Sequence, residues 1–236
     1  MKLNPTAALA ATTTLATTMA KSILITGSTD GLGLETAKVL ASQGHNVILH
    51  GRSSKKLAAA RKIVAESAAT DSNIDSFAAD LSDISQVRQL ADSVLSKYDH
   101  LDVLLNNAGV FATSSPQTAD GRDVRFIVNT LSPYLLATKL LPSIKSKDGS
   151  GRGRVVNLSS AAQQGSRSVN LQAFTQPMSF DDFDAYAQSK LGITQWSNHM
   201  AAQQGKTSDG PIVVAVNPAS YLGTKMVKDG YWYGGK

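Results

Sequence analysis

The sequence contains no cysteine. Disulfide scaffolds, thiolate metal sites, thiol nucleophiles and redox cysteine pairs are therefore excluded, and any chemistry here runs on oxygen and nitrogen groups. Metal-ligand spacing is missing too. His45, His50, His100 and His199 stand without an HExxH pattern or a carboxylate cluster, so no metal is expected and each reads as a surface or packing residue. There is no basic run. The formal charge is +5, but Lys and Arg are scattered. The densest group, Lys145, Lys147, Arg152 and Arg154 among Gly149, Gly151 and Gly153, reads as a solvated loop without interleaved aromatics. Nucleic acid is not an expected partner. Residues 1–18 are rich in Ala and Thr, yet Thr12, Thr13, Thr14, Thr17 and Thr18 interrupt them too often for the ~20 apolar residues of a membrane span.

With 42% hydrophobic and 17% charged residues in 236, the chain suits one globular domain with a substantial core. Residues 1–18 show no apolar periodicity and read as an extension or a leader. Met19-Ala20-Lys21 looks like a natural start ahead of the first strand, and a domain over 19–236 is expected. An organellar leader would be Arg-rich and this stretch has no Arg, so the expected location is cytoplasmic with organellar targeting as the alternative. From Lys21 onward, short β-branched apolar runs alternate with amphipathic stretches. Strands are expected at 22–26, 46–50, 74–79, 102–106, 154–158 and 212–216, with helices near 32–43, 54–68, 84–98, 121–147 and 183–204. Continuous apolar strands separated by helices imply a parallel sheet covered on both faces. The fold class is α/β, doubly wound and single-domain.

The first strand runs into Thr26-Gly27-Ser28-Thr29-Asp30-Gly31-Leu32-Gly33 and then a helix. Gly27 permits a tight turn, while Gly31 and Gly33 let the backbone approach a pyrophosphate at the positive helix terminus. The second strand ends at His50-Gly51-Arg52-Ser53, without the carboxylate that would accept the ribose hydroxyls of NAD. Arg52 can instead pair a 2′-phosphate, with Ser53, Lys55 and Lys56 nearby. Its plainer reading is a solvated residue at a helix start. Tyr186 and Lys190 lie four residues apart on one helix face. A phenol with pKa near ~10 is a poor base at neutral pH, but an adjacent ammonium and a cationic nicotinamide lower that pKa.

The glycine spacing resembles the TGxxxGxG of the classical short-chain dehydrogenase/reductase family, a Rossmann fold. The resemblance continues in the family's order through Asp80, Asn106-Asn107-Ala108-Gly109, Asn129, Ser160 and Tyr186-Ala187-Gln188-Ser189-Lys190, covering roughly residues 20–226. It implies that the turn from Gly27 to Gly33, including Ser28, Thr29, Asp30 and Leu32, cradles the dinucleotide. Asp80 and Leu81 would meet the adenine, and Asn107, Ala108 and Gly109 would line the adenosine side. It also implies a catalytic set of Asn129, Ser160, Tyr186 and Lys190. Tyr186 protonates a carbonyl as hydride arrives, Lys190 holds the nicotinamide ribose and tunes the phenol, and Ser160, rather than its competitor Ser159, orients the carbonyl oxygen. Asp30 weighs against NADP, because some NADP-preferring relatives carry a basic residue there. NADP(H) is nonetheless expected over NAD(H).

Pro133, four residues after Asn129, has no N–H for the carbonyl of residue 129. A kink is expected, leaving that carbonyl free for a water. In the family the matching Asn supports a water chain from the lysine, and the alternative is an Asn that merely repairs the kink. The stretch between Ser160 and Tyr186 contains Phe174, Met178, Phe180 and Phe183 and resembles the retinol-dehydrogenase-like branch, which implies a small hydrophobic carbonyl or alcohol substrate. These side chains read equally as core packing for the insertion. Pro218 and Thr224 match the family's nicotinamide loop, with Ala219 where Gly is usual. After residue 226 only a short tail follows, so the sheet is expected to lack its final strand, to expose residues 212–216 as an edge and to favour a homo-oligomer. The reading is an NADP-dependent oxidoreductase acting on a ketone, aldehyde or alcohol. Its alternative is an NADP-binding sensor or interaction protein.

Overall fold

The computed structural model describes residues 19–146 and 152–218. Residues 1–18, the final tail, Ala219 and Thr224 lie outside them, as do the expectations attached to them. The chain forms one six-stranded parallel sheet in the order β3-β2-β1-β4-β5-β6. The strands are β1 (Ser22–Ile25), β2 (Asn46–Gly51), β3 (Ile74–Ala78), β4 (Val103–Asn106), β5 (Arg154–Leu158) and β6 (Ile212–Val216). Between them run α1 (Gly31–Ser42), α2 (Ser54–Ser67), α3 (Ile84–Lys97), α4 (Val124–Phe126), α5 (Ser132–Leu140) and α6 (Asp182–Gln204). Among the described residues β6 is an edge strand, with Val214 and Val216 exposed.

Strand alternation explains the two cores. Ile23, Ile25, Val47 and Leu49 point to one face, where Ala37 and Ala41 of α1 and Leu57 and Val64 of α2 cover them. Leu24, Ile48 and Leu104 point to the other, against Val87, Leu90 and Val94 of α3, Leu136 and Leu140 of α5, and Met200 of α6. Successive side chains of a strand face opposite ways, so a strand covered on both sides reads as an unbroken apolar run. The helix starts are set locally. Asp30, Ser53, Asp83 and Asp181 cap α1, α2, α3 and α6 through side-chain oxygens that accept first-turn N–H bonds. No helix among the described residues is long and apolar enough to cross a membrane.

The stretch expected as one helix over 121–147 is divided. Asp123 caps the single turn α4, a π turn follows over Ile127–Leu131, and then come α5 and a 3₁₀ turn over Leu141–Ser143. Across the π turn the Ser132 N–H donates to the Ile127 carbonyl. Pro133 cannot donate to a carbonyl one turn back, and the helix is wider by one residue just before it.

Candidate active site

All six strands run the same way, so the turns that follow them meet at one edge of the sheet. The order reverses between β1 and β4, the place where open α/β sheets form a crevice. Its floor is packed backbone against backbone. Gly27 has φ of +65°, and a Cβ there would come within 2.8 Å of Ala108 Cα. A Cβ on Gly33 would lie 2.4 Å from both Asn107 Nδ2 and the Gly27 oxygen. Gly33 is thus buried packing between the turns after β1 and β4, beyond the ligand approach expected of it. Asn107 ties them together, donating from Nδ2 to the carbonyls of Thr26 (2.9 Å) and Gly27 (3.0 Å). The Thr26 hydroxyl accepts the N–H groups of Asn107 and Ala108, both at 3.1 Å.

Several residues expected at the dinucleotide have work in the fold. Ser28 is fully buried, and its hydroxyl accepts the His50 N–H at 2.9 Å while its own N–H donates to the His50 carbonyl at 3.0 Å. Its side chain holds the turn onto β2 instead of facing outward. Asp80 accepts from the backbone and hydroxyl of Ser82, both at 2.8 Å, and the Leu81 side chain packs in the core. Asp30 is exposed at the lip of the turn, with Thr29, Gly31 and Leu32 half-buried beside it. Arg52 is exposed after β2 and has no hydrogen-bond or ion-pair partner among the described residues. Gly109 and Pro218 are half-buried at the same edge, after β4 and β6.

The expected catalytic residues gather where α6 crosses the end of β5. Lys190 is 4% exposed. Its Nζ donates to the Leu158 carbonyl at 2.7 Å and sits 5.6 Å from the centre of the Tyr186 ring. Burial depresses its pKa to about 8, so the ammonium is held close to its neutral point. Ser159 is buried with Oγ donating to the Lys190 carbonyl at 3.1 Å and 2.7 Å from Thr194 Oγ1. Ser160 keeps partial exposure and accepts the Ala162 N–H at 3.2 Å. Ser159 is therefore tied into the β5–α6 contact, and Ser160 caps the 3₁₀ turn that follows β5.

Asn129 is fully buried in the π turn. Its Oδ1 accepts the Val110 N–H at 2.8 Å, and its Nδ2 donates to the Val110 carbonyl and to Ser189 Oγ, both at 2.9 Å. The side chain clamps the loop after β4 to α6 between Tyr186 and Lys190. Two features of the crevice carry no motif. Phe111, in the same loop, packs on Tyr186 with ring centroids 4.5 Å apart. Arg125, 1% exposed, donates to Asp123 Oδ1 (2.9 Å) and Oδ2 (2.6 Å), to Asp182 and to the Phe111 carbonyl (3.4 Å). Burial works against its charge, but Asp123 and Asp182 outweigh that and hold its pKa above the usual value. The aromatics of the insertion resolve toward packing. Phe174 and Phe180 lie 5.4 and 5.0 Å from Phe126, with Met178 against the same small core, while Phe183 is exposed.

Residues 21–231 match the model of the family described as short chain dehydrogenase. The chain belongs to that family. Within the short-chain dehydrogenases it sits in the retinol-dehydrogenase-like branch. It is 31% identical to human retinol dehydrogenase 13 over 86% of this chain and 60% of that protein. With human polyprenol dehydrogenase it is 32% identical over 89% and 63%. The chain thus spans about 60% of the length of these curated relatives. A metagenomic short-chain oxidoreductase solved in complex with NADP is 28% identical, with a TM-score of 0.66 over 85% of this chain and 83% of that one.

A dinucleotide suits the donors present at this short-chain dehydrogenase crevice. The Leu34 N–H bonds the Asp30 carbonyl and the Gly31 N–H the Asp30 carboxylate, while those of Leu32 and Gly33 have no carbonyl one turn back. Such free first-turn amides, together with the helix dipole, favour a diphosphate.

Proposed function

We propose that this chain is an NADP(H)-dependent oxidoreductase that interconverts a ketone or aldehyde with an alcohol on a small hydrophobic substrate. The observation that carries the reading is Lys190, an ammonium buried beside the Tyr186 ring at the end of β5. Burial of a cation is costly, and it recurs where the shifted group has chemical work. The nicotinamide, when bound, supplies or receives the hydride. In reduction, Tyr186 donates its phenolic proton to the substrate oxygen, and in oxidation it takes that proton back. The Lys190 ammonium stabilises the phenolate, and the Ser160 hydroxyl donates to the same substrate oxygen. Asn129, its side chain fixed on Val110 and Ser189, serves the proton relay through its main-chain carbonyl in the π turn.

The turn from Gly27 to Gly33, Asp80-Leu81, Asn107 to Gly109 and Pro218 form the cofactor contacts of this reading. Arg52 selects the 2′-phosphate. Lys55 and Lys56 stand in the first turn of α2, which has no acidic residue, and their charges add to the positive end of that helix. A phosphate would offset this unfavourable arrangement. An apolar alcohol or carbonyl accords with the names of the retinol and polyprenol dehydrogenases and with Phe111 stacked on Tyr186.

The test is NADPH oxidation against a panel of carbonyl compounds, with NADPH affinity measured in parallel. Tyr186→Phe should keep the fold and NADPH binding while lowering turnover ~100-fold or more, the scale of lost acid catalysis. Undiminished turnover removes Tyr186 from the mechanism. NADPH binding without turnover by the unmodified chain would favour a sensor or interaction protein instead.

A further inference from the structure

His50 lies near the end of β2, between the strands that carry the glycine turn and Asp80. It is 2% exposed. Its Nδ1 accepts the Gly27 N–H at 3.2 Å, and its Nε2 lies 3.1 Å from the Ala79 carbonyl. An acceptor on one nitrogen and a carbonyl facing the other require the neutral ring with its proton on Nε2. The main chain of the same residue bonds Ser28 in both directions. One residue thus bridges the turn after β1 and the last residue before Asp80, across β2.

We propose that His50 is a positioning residue for the dinucleotide, a rigid strut that fixes the glycine turn relative to the Asp80-Leu81 segment. This rests on reading the crevice as the dinucleotide site. The Gly27 peptide is oriented by the bond to Nδ1, and Gly27 is the left-handed residue from which the turn swings toward α1. The Ala79 bond sets how far the end of β3 sits from that turn. Diphosphate and adenine are joined covalently in one ligand, so a change in the spacing of their two binding segments weakens both contacts together. A neutral His in an apolar strand offers an acceptor toward one neighbour and a donor toward the other, which no aliphatic side chain supplies. Burial supports the same protonation state, pushing the pKa of the ring down to about 4.

The experiment compares NADPH dissociation constants of the full chain and of His50→Asn, His50→Gln and His50→Ala, well below each variant's melting temperature. Asn keeps an acceptor toward Gly27, Gln keeps a donor toward Ala79, and Ala keeps neither. NADPH should bind about a hundredfold more weakly to the Ala variant and within about tenfold of the unmodified chain for Asn, with Gln between. ¹⁵N NMR of the imidazole in the unmodified chain should report the neutral Nε2–H tautomer at pH 7. A role confined to stability would lower melting temperatures and leave the dissociation constants unchanged, and that result overturns the proposal. So do equal losses in all three variants, or an Nδ1–H or protonated ring. If Ala does not fold, Asn, Gln and the NMR spectrum decide. Failure of the unmodified chain to bind NADPH would defeat the dinucleotide reading itself, whereas binding unaffected by His50 defeats only the strut.

Discussion

The two sides of the crevice are held by different forces. On the cofactor side, Ser28, His50, Thr26 and Asn107 join β1, β2 and β4 through neutral hydrogen bonds to backbone, with no buried charge among them. On the substrate side, Arg125 joins the loop after β4, α4 and the start of α6 through two carboxylates, beside the aromatic cluster of Phe126, Phe174 and Phe180. Neutral bonds to backbone fix a turn at a net contribution of about 1 kcal/mol each. A buried ion pair contributes little over apolar packing yet is damaging to break, because removing one partner leaves the other charge buried and uncompensated.

Removing half of the charged clamp should produce the largest effect. Arg125→Met leaves Asp123, itself 3% exposed on its side chain, without its cation and should cost about 3–5 kcal/mol in urea unfolding. The double variant Arg125→Met with Asp123→Asn keeps a capping oxygen for α4 and should recover most of that loss. A single-variant loss below about 1 kcal/mol would remove the contrast between the two sides.

Acid should act on the opposite side. In the folded chain His50 resists protonation down to about pH 4, against 6.5 in an unfolded chain, chiefly because it is buried. Between those values the unfolded state binds a proton that the folded state refuses, so stability falls as pH falls and levels off below about 4. The full loss is about 3 kcal/mol. His45 is lowered as well, by burial and then by Lys21, and acts with the same sign. The difference between the unmodified chain and His50→Asn, measured by urea unfolding from pH 7.5 to 4.5, isolates the His50 share. Parallel curves for the two proteins would show that the ring carries no such linkage.

The cofactor side is also where the sequence was easiest to read. Its strands β1 and β2 are centred on the apolar runs Ile23–Ile25 and Val47–Leu49 and its helix starts carry Asp30, Ser53 and Asp83, so local patterns set the boundaries to within a residue. β5 and β6 run over the residues expected of them. His50 was not legible as a strut, because its partners, Gly27 and Ala79, lie 23 and 29 residues away and a lone His in an apolar run looks like packing. The division of α4, the π turn and α5 was hidden for a related reason. Helical periodicity runs through it, and the widened turn carries Asn129, which bonds Val110 and Ser189. Pro133 pointed to a kink at the carbonyl of residue 129, and the disturbance takes the form of a π turn over Ile127–Leu131. On the substrate side, Phe174 and Phe180 had two readings until Phe126 was found between them. Arg125 shows no motif at all, since its carboxylates lie 2 and 57 residues away.

Selection between cofactors comes next in size. Losing a charge-assisted phosphate contact costs about 1.5–3 kcal/mol. Arg52→Ala should therefore weaken NADPH binding roughly tenfold to a hundredfold and leave NADH nearly unchanged, as measured by titration of each cofactor. Equal losses for both would assign Arg52 to the loop rather than to the 2′-phosphate.

The smallest effect sharpens the comparison at an exposed charge, the Asp30 carboxylate on the lip of the cofactor side. Asp30 accepts the Gly31 N–H at 2.7 Å as the cap of α1, and its charge is favourable to the bare helix end. That same charge opposes a diphosphate arriving at the neighbouring amides. Asn caps a helix about as well as Asp and carries no charge. Asp30→Asn should therefore bind both NADPH and NADH about two- to fivefold more tightly at low salt while melting slightly lower in the absence of cofactor. The gain should shrink as salt screens the repulsion between exposed charges. Affinity and stability moving in opposite directions would mark Asp30 as a cap that works against the ligand, whereas weaker binding would mean that the carboxylate shapes the turn the diphosphate needs.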